Sequence, residues 1–249
     1  GKLGGTSPPP HPPGTMHAPA HPLEPLAAAE VAAAVAVLKD AGLATPTTRF
    51  VSVALKEPPK AAVHAGAGWA ELPREAFAVL FDNATNTATE ATVSVTGRTV
   101  LASRTFAGVQ PTMTVDEQVE CERAVLASPA FRAALERHHG ITDPALVMVD
   151  IWSAGNYGEP EESRRRLARP LCFVRTDPTD NGYARPIEGI RPVVDLNTME
   201  VIRVEEYGHV PLPPTPGNYA TGRAGPTRTG IKALEITQPD GPSFDVDGY

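Results

Sequence analysis

The order of its hydrophobic patterns constrains this chain most: a run at helical spacing, then segments with strand alternation, and then the same order again. Leu26, Val31, Val35 and Leu38 recur near helical spacing in an Ala-rich run that stops at Asp40-Ala41-Gly42, where Gly42 suits a helix C-terminus. RFVSVALKEP (49–58) then alternates as a strand until Pro58-Pro59 ends it, and EAFAVLFDN (75–83) carries its turn signal in Asp82-Asn83. ATVSVTGRTVLASRTF (91–106) reads as a hairpin bent at Thr96-Gly97, with Val93 and Val95 on one side and Val100 and Leu101 on the other.

The second round begins at Thr114-Val115-Asp116-Glu117, an N-cap with acidic residues in the first turn, and the helix runs on through Val119, Ala124, Val125 and Leu126. Ser128-Pro129 starts another helix, with proline in its first turn, that passes Phe131 and Leu135 and stops at Gly140. Strand-like runs follow at LVMVDIWS (146–153), RPLCFVRT (169–176), IRPVVDL (190–196) and EVIRVEEY (200–207), the last two joined by the turn signal Asn197-Thr198. Helix followed by antiparallel strands, twice, predicts the α+β class in two consecutive small domains. The domains expected are 23–110 and 111–210. A Pro/Gly-rich tail at 1–22 precedes them, too poor in core-forming side chains to order itself. A Pro/Gly-rich extended linker at 211–249 follows, in which Ile236, Phe244 and Val246 suit short strands.

Bulk properties exclude several classes of function. The net charge of −7 opposes binding to a phosphate backbone, so no nucleic-acid partner is expected. No run of about eighteen apolar residues exists to span a membrane, and no apolar segment near the start reads as a secretory signal, so a cytoplasmic location is expected. The basic run Arg164-Arg165-Arg166, with Glu159, Glu161 and Glu162 before it, reads as a solvated face neutralised by its neighbours. Cys121 and Cys172 sit among apolar or helical neighbours and read as buried free thiols, although a mutual disulfide stays open if their elements pack side by side.

Motifs that carry chemistry are missing: there is no phosphate-binding loop, no dinucleotide fingerprint, no nucleophile elbow and no C-x-x-C. Of the histidines, His11, His17 and His21 lie in the tail, and His138 and His139 are consecutive on a helix, about 100° apart, where they cannot easily share one ion. The carboxylate groups Glu159/Glu161/Glu162 and Glu205/Glu206 lie in loop or strand-end contexts rather than in a pocket that could separate their acidities. Residue by residue, the chain is a two-domain α+β protein with no visible active site.

Longer strings add a resemblance. WSAGNYG (152–158), RRRLARPLCFVR (164–175), DNGYARPIEGI (180–190), VVDLNTMEVIRVEEYG (193–208), VPLPP (210–214), GNY (217–219) and LEITQPDGPSF (234–244) resemble the N-terminal region of copper-containing primary-amine oxidases. HPLEPL (21–26) and RFVSVALKEPPK (49–60) resemble the preceding domain of the same family. The resemblance implies two small cystatin-like units, each with a helix on an antiparallel sheet, ahead of a catalytic β-sandwich. That larger domain carries copper on three histidines, a topaquinone made from a tyrosine, and an aspartate base. It converts a primary amine, oxygen and water to aldehyde, ammonia and hydrogen peroxide, and the enzymes are homodimers.

The cofactor motif Asn-Tyr-(Asp/Glu)-Tyr is not matched: Asn156-Tyr157 is followed by Gly158-Glu159, and Asn218-Tyr219 by Ala220-Thr221. His-x-His is missing as well. The resemblance therefore implies a non-catalytic N-terminal region that binds neither copper nor topaquinone itself, is inactive alone, and has the catalytic domain as its partner. By position within the matched strings, Trp152 and Tyr183, with Val119 behind them, are the candidates for lining the amine access channel. They suit a core or an interface equally well as residue types. A stand-alone protein-binding module reusing these domains is the alternative.

Overall fold

A computed structural model describes residues 21–66, 68–155, 157, 158, 160, 164–215, 217, 218, 225, 226, 228–239 and 241. The chain divides into two compact units. The first is Gly1–Glu117 with Gly155–Arg166 and Leu196–Thr198; the second is Gln118–Ala154, Leu167–Asp195 and Met199–Tyr249. Of the predicted tail, 1–20 lies outside the described residues, while the His21 ring meets that of Trp69 edge-on with centroids 4.6 Å apart.

In the first unit, helix α1 (Ala28–Asp40) packs on an antiparallel meander of β1 (Thr48–Lys56), β2 (Glu75–Asp82), β3 (Thr87–Ser94) and β4 (Thr99–Ala107), in that spatial order. The helix begins where the Glu30 carboxylate accepts the Ala27 N–H at 2.7 Å, and the same side chain is paired with Arg74 at 2.8 Å. It ends with Gly42 at φ 71° and the Leu43 N–H donating to the Leu38 carbonyl, so glycine serves here as expected. Ala33, Ala34, Val37 and Leu38 face Ala76, Ala78, Leu80, Ala91, Val93 and Val95, and small residues on both sides let the backbones approach closely. A register shift at Thr92/Val93 leaves Val100 against this core and turns Leu101 outward, half exposed. A short helix α2 (Lys60–His64) follows Pro58-Pro59.

The unit boundary falls within helix α3 (Val115–Ala127). This helix opens with a reciprocal cap: the Thr114 hydroxyl accepts the Glu117 N–H at 3.2 Å, and the Glu117 carboxylate accepts the Thr114 N–H at 2.8 Å. Helix α4 (Pro129–His139) starts on Ser128, whose hydroxyl accepts the Phe131 N–H at 3.3 Å, and stops at Gly140 with φ 66°. Its Phe131, Ala134 and Leu135 are buried, and it packs on β8 (Ile190–Asp195) and β9 (Glu200–Glu206).

The second unit is α+β as expected, but its strands form two small sheets instead of one meander. β5 (Val147–Asp150) pairs with β7 (Leu171–Val174), and β6 (Leu167–Ala168) lies beside β8, which pairs with β9. Pro170 explains the division. It has no N–H to give a ladder, so the run RRRLARPLCFVR is cut into two strands that join different sheets. The turn at Asn197-Thr198 closes the β8–β9 hairpin, with Met199 at φ 56°. After Glu206 no helix or strand occurs among the described residues; Ile236 is exposed there, and Phe244 and Val246 lie outside them. No helix is long and apolar enough to cross a membrane.

Candidate functional site

The two-residue period of a strand places Met148 and Asp150 on one face of β5, opposite Phe173 and Leu171 of β7. Two residues beyond Asp150, Trp152 continues the extended run, held by the Arg169 N–H donating to its carbonyl at 2.9 Å. Its indole N–H turns back to donate to Asp150 Oδ2 at 3.2 Å.

Tyr183 reaches the same atom from another direction. It sits on a 3-10 turn, Gly182–Ala184, opened by the Asn181 side chain accepting the Tyr183 N–H at 3.1 Å. A side chain at Gly182 would put its Cβ 3.2 Å from Met148 Cε, so glycine lets this turn lie on β5. The extended segment behind the turn closes it from the other side: Gly217 allows no Cβ, which would fall 2.2 Å from that of Ala184, and Arg185 Nε donates to the Pro213 carbonyl at 3.1 Å. So held, Tyr183 packs edge-on against Phe173 with ring centroids 5.0 Å apart, and its hydroxyl donates to Asp150 Oδ2 at 3.3 Å. The negative Asp150 beside it pushes the Tyr183 hydroxyl above the usual phenol range.

Trp152 and Tyr183, each 57% exposed, thus meet at one carboxylate oxygen. Asp150 itself makes no ion pair among the described residues. Val119, 39% exposed on α3, shares no hydrogen bond or ring contact with this cluster. Asp150 was not among the sequence candidates; its position two residues before a tryptophan was the only signal, and the tyrosine lies 33 residues away.

A contrasting carboxylate lies in the first unit. Glu117 is fully buried and Arg166 is 3% exposed. Arg166 Nε donates to Glu117 Oε1 at 2.6 Å, Nη2 to Oε2 at 3.0 Å, and the guanidinium stacks on the Phe81 ring 4.4 Å from its centroid. Arg166 also donates to the carbonyls of Pro111 and Thr112. Burial raises the Glu117 carboxyl, but hydrogen bonds from Arg166 and the Thr114 N–H, with the charges of Arg166 and Arg49, outweigh it and hold the group below the ordinary glutamate range. The expectation of a solvated basic face is therefore wrong at Arg166, because a buried glutamate and an aromatic ring replace its water; Arg164 and Arg165 are exposed. Glu159, Glu161 and Glu162 lie outside the described residues.

The remaining sequence candidates are structural. His138 and His139 have ring centroids 6.4 Å apart and go separate ways, His138 to Glu206 at 2.6 Å and His139 to the Glu188 carbonyl at 3.1 Å. His209 Nδ1 bonds the His138 carbonyl. No group of three or more His, Cys, Asp or Glu among the described residues is arranged to hold a metal. Glu205 is paired with Arg191 and Arg203 instead of being merely solvated. Cys121 and Cys172 are buried free thiols, and burial pushes Cys172 far above the usual thiol range. A mostly apolar cleft of about 360 Å³ lies along Leu171, Phe173, Ile187, Ile190 and Tyr207, without Asp150, Trp152 or Tyr183 among its lining.

Residues 27–103 match the family described as AGAO-like N2 domain, and residues 116–221 the copper amine oxidase N3 domain. The primary amine oxidase of Arthrobacter sp. (strain P1) is 43% identical over 229 residues, covering 92% of this chain and 35% of that protein. N-methylputrescine oxidase 1, peroxisomal, of Nicotiana tabacum is 38% identical over 271 residues, covering 92% of this chain and 34% of its own. A copper-containing benzylamine oxidase from Hansenula polymorpha has the same fold over 92% of this chain and 38% of its own, with a TM-score of 0.70 at 22% identity. The chain thus spans about a third of the length of the relatives it matches.

Proposed function

Because this chain belongs to the copper amine oxidase family and comprises that family's N2 and N3 domains, we propose that it is the non-catalytic N-terminal region of a primary-amine oxidase and forms part of the wall along which the amine reaches the catalytic domain. The activity it serves is the oxidation of a primary amine by oxygen and water to aldehyde, ammonia and hydrogen peroxide. In this reading copper and topaquinone belong to the catalytic domain and not to these residues. The catalytic domain and a second copy, as a homodimer, are the partners in this reading. The domain limits proposed are 23–110 and 111–210, with 211–249 as the connecting segment.

The observation that carries the channel role is the exposure of Trp152 and Tyr183 around one carboxylate. Large aromatic rings left open beside a carboxylate are poorly suited to a core and well suited to guiding a cationic, partly apolar ligand. Val119 belongs to the proposed wall by its half-exposed position alone.

Two experiments test this. The purified chain with copper and a primary amine is expected to form no peroxide above background; peroxide formation would refute the non-catalytic assignment. A chimaera in which these residues replace the matching third of the Arthrobacter enzyme is expected to oxidise amines. In it, Trp152→Ala and Tyr183→Leu should raise KM several-fold with kcat little changed, the signature of lost binding rather than lost chemistry. Unchanged KM in both variants would remove the channel role and favour a protein-binding module.

A further inference from the structure

We propose that Asp150, flanked by the rings of Trp152 and Tyr183, is a binding site for an organic ammonium ion. The inference deepens the channel reading above and rests on it for biological meaning, although the chemistry stands on the cluster alone.

Three observations point to this ligand. Asp150 is half-buried and forms no ion pair among the described residues, so its charge is held in place by neutral donors only. Both donors use Oδ2. Oδ1 accepts no hydrogen bond from the described residues and is left for an N–H of the ligand. The two rings that fix the carboxylate keep more than half their surface open, which offers aromatic faces to the carbon stem and to the spread positive charge of an ammonium group.

The pattern also excludes other ligands. An anion is repelled by Asp150. A divalent metal needs several oxygen ligands, and one free carboxylate oxygen beside two rings does not supply them. A neutral aromatic could stack on either ring but would gain nothing from the charge. An alkylammonium uses all three groups at once: one N–H to Oδ1, the positive charge near Asp150, and the alkyl stem along Trp152 or Tyr183. The support is preformed: the capped 3-10 turn and the Gly217 segment hold Tyr183, and the Arg169 N–H holds the Trp152 carbonyl. Little ordering is then required on binding.

The chemistry is shared by a free amine and by a lysine side chain of another protein, so both are tested. The probes are methylammonium, benzylammonium and Nα-acetyl-lysine methylamide, each titrated against the full chain at constant ionic strength, with sodium chloride as the control. The readout is the indole N–H resonance of Trp152. The second tryptophan, Trp69, donates its N–H to the Val63 carbonyl at 3.0 Å and serves as an internal reference. Saturable movement of the Trp152 signal is expected, with dissociation constants on the order of 10 mM, while Trp69 stays fixed.

Asp150→Asn, which keeps an oxygen acceptor and removes the charge, should weaken binding about threefold to fivefold. Tyr183→Leu should weaken it several-fold, and Tyr183→Phe, which keeps the ring and loses one donor to Asp150, should weaken it less. Tighter binding of benzylammonium than of the lysine probe assigns the site to small amines, and the reverse order assigns it to a protein-borne lysine. Movement that follows sodium chloride, or an affinity unchanged in Asp150→Asn, overturns the site. If ammonium ions fail to bind while Trp152→Ala raises KM in the chimaera, the wall remains and only the anionic anchor is lost.

Discussion

Glu117 and Asp150 are built from the same three parts, a carboxylate, an aromatic neighbour and a demand for positive charge, yet they end in opposite states. Glu117 has its cation: Arg166 binds both oxygens and stacks on Phe81, and the group is sealed from water. Asp150 has the aromatic rings but no cation among the described residues, and it is only half-buried. A satisfied, buried set fixes a structure because breaking it strands a charge in a low dielectric. An unsatisfied, open set costs little to maintain, because water solvates the carboxylate, and it is free to recognise a ligand. Burial and the missing partner, more than residue type, separate support from recognition.

The largest test of this contrast is Arg166→Met. It leaves the buried Glu117 without a partner and should cost about 3–5 kcal/mol in urea unfolding. Adding Glu117→Gln to the same chain should restore much of that loss, since no buried charge then remains. A cost under about 1 kcal/mol for Arg166→Met would mean that water reaches Glu117, and the contrast would fail.

Acid sharpens the same comparison. The folded state holds the Glu117 carboxyl below its ordinary value, so its contribution to stability is fully present above pH 4.5 and is lost as pH falls through the lowered folded value. Asp82 behaves alike, held at about 2 because hydrogen bonds from the Thr45, Thr47 and Thr48 hydroxyls and the Thr85 backbone outweigh the effect of burial. Unfolding free energy should therefore decline from about pH 4.5 towards pH 2, and Glu117→Gln should flatten the upper part of that decline. An unchanged slope in the variant would show that Glu117 is not depressed.

The sheets and helices were legible where local chemistry decides them. Thr114 and Glu117 cap each other, Ser128-Pro129 opens α4, Gly42 and Gly140 close helices, and the alternation of β2 sends Ala76, Ala78 and Leu80 inward. What escaped depends on distance along the chain. Arg166 looked like one of three surface arginines because its partner lies 49 residues earlier. The division of the second unit into two sheets turns on Pro170, whose missing N–H matters only once its neighbours are known. Trp152 and Tyr183 were legible as candidates through the family resemblance, whereas the atom at which they meet was not.

A smaller effect is expected at Gly217→Ala. The new Cβ would lie 2.2 Å from that of Ala184, and the turn carrying Tyr183 must shift. A cost of about 1–3 kcal/mol is expected from this overpacking, with altered Tyr183 ring resonances in NMR spectra. Unmoved resonances would show that the Gly217 segment does not hold the turn.

The smallest effect is the most discriminating. Asp150→Asn keeps an acceptor for the Trp152 and Tyr183 donors and removes a solvated charge, so unfolding free energy should change by no more than about 0.5 kcal/mol. With no ion pair lost, no buried charge is stranded, in direct opposition to Arg166→Met. If Asp150→Asn instead destabilised the chain by several kcal/mol, Asp150 would be a structural anchor like Glu117, and its exposure would need another cause. A silent stability profile together with weakened ammonium binding separates the two carboxylates completely, because a group kept only for support cannot lose a ligand without losing stability.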